Sequence, residues 1–198
     1  MVKYINGNGS DNPVKRGFYI GVITLFLSIV LTGITNMLLT KLGLVFALLV
    51  LLVIISIGVL FDMIGVAVTA ANESSFHSMA AKKVYGANLA FRLVRHADKV
   101  SSFCSDVVGD ICGTISGAAA ALIVYRWLIN DYVINPDTVS LLMVAFIAAI
   151  TVGGKSAGKS IAIDNCREIT YLSAKSIAWI ENYLNFTILP EKGKVRRR

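Results

Sequence analysis

Residues 44–71 read LVFALLVLLVIISIGVLFDMIGVAVTAA, and only Ser56, Asp62 and Thr69 interrupt the apolar run. A bilayer's hydrocarbon of roughly 30 Å is crossed by about 20 apolar residues at 1.5 Å each. This stretch is longer than that, so it predicts a transmembrane helix. Three further stretches support the same fold. One runs from Phe18 to about Leu39, one from about Ser102 to Trp127, and one from about Val139 to Gly154. The third carries Asp106 and Asp110. The fourth is short and is expected to be extended by the segment after it.

The whole-chain composition agrees. Of 198 residues, 56% are hydrophobic and 16% charged, where soluble domains are about half apolar and a quarter charged. A water-soluble globule of this size could not hide that much apolar surface, and the same figures exclude a disordered chain. Three cysteines, Cys104, Cys112 and Cys166, are too few for a disulfide-built scaffold. They are expected to be free thiols. The first apolar run is too long for the core of a cleavable signal peptide.

The net charge of +7 is read by location. Three basic residues precede the first span, five lie between the second and third, and eight follow the fourth. The two opposite loops hold only Lys41 and Arg126, and Lys155 lies at the inner end of the fourth span. Basic residues concentrate in cytoplasmic segments, so both termini are expected in the cytoplasm, with the chain in the plasma membrane. The sequons at Asn8, Asn72 and Asn185 then fall on the cytoplasmic side and should be silent.

From Ser160 to about Asn185 a helical period places Ile169, Leu172, Ile177, Ile180 and Leu184 on one face. Arg167, Glu168, Lys175 and Glu181 lie on the other. This predicts an amphipathic helix, either at the inner membrane surface or packed on the inner end of the bundle. The expected fold is therefore all-α and integral to the membrane, with four spans and a C-terminal juxtamembrane helix. A basic tail over residues 186–198 suits anionic headgroups, and nucleic acid is not an expected partner.

The candidate sites follow from the few polar groups in or near the spans. Gly109, Gly113 and Gly117 form two overlapping G-x-x-x-G frames, which permit close helix approach within the protomer or in a homodimer. Asp106 and Asp110 lie one turn apart on the same helix, and ionisable groups in hydrocarbon face a partner or a wet cavity. Lys155 reaches a depth comparable to that of Asp110, so an Asp110–Lys155 ion pair competes with an ion or proton path. Asn72 and Glu73 end the second run, and their oxygens suit a hard cation such as Mg²⁺. A solvated helix end explains Glu73 as well. His77 and His96 lack metal-ligand spacing. Residues 153–160, GGKSAGKS, match the phosphate-binding loop pattern. No strand–helix alternation exists to support such a loop.

Over residues 43–185 the order of these features resembles the transmembrane domain of the CorC/CNNM family of magnesium transporters. Residues 1–42, with the first span, would be an addition to it. The family's S-G-x-E-T/S-A motif is matched by Ala70-Ala71-Asn72-Glu73-Ser74-Ser75. Its D-R/K-x-x-S-x-x-x-I-G-N segment is matched by Asp98 to Ser102 leading to Val108-Gly109-Asp110, and its G-E-x-x-P-K-x-x-A by residues 154–162. The resemblance implies cation transport of the Mg²⁺ type, with Glu73, Asp106, Asp110 and Asn72 as candidate ligands. The family's Asn and Glu ligands are replaced here by Asp110 and Lys155, and its small hydroxyl by Ala70. The nucleotide-sensing CBS modules of many relatives have no counterpart in these residues. An ammonium cannot ligate a metal, so the alternative is a non-transporting relative, a scaffold or regulatory subunit with a membrane partner. No nucleophile–base set suggests an enzyme.

Overall fold

A computed structural model describes residues 13–127 and 136–184 of the chain, and the basic tail lies outside them. All regular structure among the described residues is helical. The order is α1 (Pro13–Leu39), α2 (Leu44–Ala70), α3 (Glu73–Ala81), α4 (Ala87–Arg95), α5 (Ala97–Ser101), a π-helical segment (Ser102–Gly109), α6 (Asp110–Trp127), α7 (Pro136–Asp164) and α8 (Cys166–Leu184). Four stretches are long and apolar enough to cross a membrane: Ile20–Leu39, Leu44–Ala70, Ala97–Arg126 and Thr138–Asp164.

One boundary differs from the sequence reading, and a second extends as expected. The third span begins at Ala97 and runs unbroken through α5, the π-helical segment and α6. The fourth is extended past Gly154 to Asp164, with Gly153, Gly154 and Gly158 inside the helix and the last two packed tightly against α2. Residues 153–160 are therefore helix interior and form no phosphate-binding loop.

α2 is the central helix and packs against α7, the third span and α8. The bundle's core has an outer layer of Leu39, Ala47, Leu51, Ile55, Ala119, Ile123 and Ile147. A second cluster joins Val68 of α2 to Phe76, Leu89, Leu93 and Ala174 of the shorter helices. Large apolar side chains cover the outside: Phe26 is 66% exposed, Phe46 64% and Leu141 69%. Such a surface is unfavourable in water and suits lipid.

Chain ends of the helices are defined locally. α2 stops where Ala71 becomes extended, and Asn72 then caps α3 by accepting from the Ser74 amide at 3.1 Å. Gly86 adopts φ +79° before α4, a left-handed conformation that glycine reaches without a Cβ penalty. The Arg126 guanidinium donates to the Thr40 carbonyl, which joins the ends of α6 and α1. Lys41 and Arg126 thus share one end of the bundle, and α3, α4 and α8 lie at the other, basic end.

α8 is turned differently from the expected face. Thr170 and Ala174 are fully buried and Ile177 packs inward, while Leu172 and Ile180 are 60% and 41% exposed. Small residues face inward because α8 approaches α4 closely: a Cβ on Gly86 would lie 3.2 Å from the Lys175 Cα. Glu181, expected on the polar outer face, is half-buried with an oxygen 4.0 Å from Arg92 of α4.

Candidate functional site

Gly58, Asp62 and Gly65 recur at spacings of four and three, so they share one face of α2. All three are buried. At Gly58 an added Cβ would lie 2.8 Å from the Cys112 Cβ, and at Gly65 2.6 Å from the Ser105 Oγ. The glycines thus let the third span lie directly against α2. On the other side, Cβ atoms at Gly154 and Gly158 would meet Val59 at 3.3 Å and Met63 at 2.8 Å. Three helices close together leave a seam that holds two aspartates and two lysines.

Lys155 and Lys159 stand one turn apart on α7. The Lys155 Nζ donates to the Gly109 carbonyl at 3.1 Å and reaches the Asp110 Oδ1 at 3.4 Å. The Lys159 Nζ lies 3.7 Å from the Asp62 Oδ2. That separation is too long for a direct hydrogen bond, and the buried Asp62 Oδ2 has no hydrogen-bond partner among the described residues. The Ser105 Oγ is likewise buried and unpartnered.

The third span bends its ladder at this level. Residues 102–109 are π-helical, an i→i+5 pattern that occurs mostly as short insertions, often at functional sites. Within it the Ser102 hydroxyl donates to the Asp106 Oδ2 at 2.9 Å. Asp106 is therefore satisfied by its own helix, and its side chain faces outward. The Asp110 side chain is 70% exposed despite its pair with Lys155.

The four candidate metal ligands do not converge. Asn72 uses its side-chain oxygen as a helix cap, accepting from the Ser74 amide and hydroxyl. Glu73 follows in the first turn of α3, exposed beside an open groove with Ser74, His77 and Phe91. The level of Asp110 on α2 is marked by Gly58, whose Cβ would lie 3.8 Å from the Gly109 oxygen. Fourteen residues of rise, about 21 Å, separate that level from Asn72. Among the described residues no group of three or more His, Cys, Asp or Glu side chains could hold a metal ion.

The glycine frames also divide. Gly109 is buried against the Gly58 carbonyl and Lys155, whereas Gly113 and Gly117 have nothing within 4 Å of an added Cβ. The first serves packing inside the protomer, and the other two lie on an open face.

Sequence reasoning noticed Asp62 and Lys159 separately and did not pair them. The available signal was the i, i+4 repeat of Lys155 and Lys159 on a span with no other charge before Asp164 at its end. No protein-family model, curated protein or solved structure matches this chain.

Proposed function

We propose that the chain is a membrane-embedded protein of the CorC/CNNM type whose ion seam is closed by its own lysines. In this reading it acts as a scaffold or regulatory subunit for a membrane partner. The observation that carries it is the Lys155 ammonium, 3.1 Å from the Gly109 carbonyl and 3.4 Å from the Asp110 carboxylate. A divalent cation about 4 Å from an ammonium is repelled by on the order of 8 kcal/mol at an effective dielectric of 20. That repulsion equals the attraction from one carboxylate at the same distance. The Asp62–Lys159 pair repeats the neutralisation one turn away.

A second reading, Mg²⁺-type transport through Asp106 and Asp110, is favoured by the π-helical segment and by the exposure of Asp110. Proteoliposomes containing the purified chain and a Mg²⁺-sensitive dye distinguish the two. The scaffold reading expects no flux above empty liposomes. Flux that is abolished by Asp110→Ala would establish the transport reading instead.

Both readings place the chain in the plasma membrane with its termini in the cytoplasm. Both also use the open Gly113–Gly117 face for homodimerisation.

A further inference from the structure

A pocket of about 310 Å³ lies between α8 and the basic end of the bundle, lined by Phe61, Ile64, Leu93, Cys104, Leu172 and Ser176 among others. Its walls are apolar. The two serines that reach it, Ser173 and Ser176, already donate to the Ile169 and Leu172 carbonyls of their own helix at 2.8 and 3.0 Å. An occupant is therefore offered mainly apolar contact and no serine donor, which selects a hydrocarbon.

The mouth of the pocket identifies the source of that hydrocarbon. Leu172, Ser176, Trp179 and Tyr183 recur at spacings of four, three and four, so they form one stripe along α8. Leu172 is 60% exposed, Trp179 64% and Tyr183 80%, and the two aromatic rings stack at 6.0 Å. The opposite face of α8 is already packed through Thr170 and Ala174. α8 begins two residues after the fourth span ends, which puts its start where the chain leaves the hydrocarbon and the stripe just beyond. Trp and Tyr concentrate at that level in membrane proteins. The described residues of 71–101 and 165–184 carry seven basic side chains and four acidic ones, a balance that suits anionic headgroups.

We propose that this pocket holds one acyl chain of a phospholipid from the leaflet at the basic end, with its headgroup beside Trp179 and Tyr183. The inference rests on embedding in a bilayer and is independent of whether cations cross.

The test uses the full chain, first shown to resist carbonate extraction from membranes. It is then released from nanodiscs of phosphatidylethanolamine and phosphatidylglycerol into native mass spectrometry. The expected result is one retained phospholipid per chain, enriched in phosphatidylglycerol. Ser176→Phe, a change at an exposed position in the mouth, should cut that occupancy at least tenfold without lowering the melting temperature. In a Trp127→Phe background, Trp179 fluorescence should be quenched more by lipid brominated near the headgroup than near the chain end. Wild-type protein without an adduct, equal adducts on Ser176→Phe, or a lipid-free dimer would overturn the proposal. Loss of the chain to the carbonate supernatant would instead remove the bilayer reading itself.

Discussion

Lys159 of α7 reaches across to Asp62 of α2, with Nζ 3.7 Å from Oδ2, the carboxylate side chain 4% exposed and the ammonium side chain 52%. Burial strips Asp62 of hydration, and Lys159 supplies the only charge paired with it among the described residues. One turn earlier on α7, Lys155 does the same for Asp110. The seam is thus held by two rungs, one buried and one open to the outside of the bundle.

Breaking the buried rung from one side should be costly, and removing both sides should be mild. Lys159→Met is expected to destabilise the chain by about 1–3 kcal/mol, less than a fully buried pair would lose because Lys159 is half exposed. Asp62→Asn in the Lys159→Met background should recover most of that loss. A double-mutant cycle on thermal unfolding in detergent measures the coupling. Strict additivity would show that the two side chains do not interact.

Replacing the ammonium by a carboxylate should open a cation site. Lys155→Glu places a second carboxylate beside Asp110 and frees the Gly109 carbonyl, an oxygen set suited to Mg²⁺. The expected outcome is divalent binding in titration calorimetry by Lys155→Glu and none by the wild type. Equal binding by both would remove Lys155 as the group that closes the seam.

Two glycines, one packed and one open, should behave oppositely. Gly58→Ala meets the Cys112 Cβ at 2.8 Å and should cost about 1–3 kcal/mol through overpacking. Because the obstacle is the Cβ itself, Cys112→Gly should relieve the clash and Cys112→Ala should not. Gly113→Ala, in open space, should leave unfolding unchanged and weaken self-association measured by single-molecule photobleaching in liposomes.

Gly86→Ala combines φ +79° with a 3.2 Å approach to the Lys175 Cα. The left-handed conformation alone costs an L-residue roughly 1–2 kcal/mol. Since Gly86 is where α8 rests on the start of α4, limited proteolysis should cut within 166–184 faster in this variant. An unchanged rate would show that α8 is held elsewhere.

Sidedness is tested through Cys166, which is half-buried just beyond the fourth span. A membrane-impermeant maleimide should label it in inverted vesicles and leave it unlabelled in intact cells. Cys104, 7% exposed, should react slowly in both. Labelling of Cys166 from outside would invert the topology.

The sequence by itself determined the helical class, the approximate positions of the four spans and the gathering of basic residues at one end. Those are properties of contiguous residues: hydropathy over about 20 positions and the charge of the segments between them. It also put Asp110 and Lys155 at similar depth, because depth follows from counting residues along a helix. Tertiary structure decided the rest. It paired Asp62 with Lys159, introduced the π-helical turns at Ser102–Gly109, separated Asn72 and Glu73 from Asp110, and turned Leu172 and Ile180 of α8 outward. Each of these depends on how a helix is rotated about its own axis and how closely it approaches its neighbours. Small residues contributed by different helices, Gly58 against Cys112, Gly158 against Met63 and Gly86 against Lys175, set that rotation and approach, and no single segment contains both sides of such a contact.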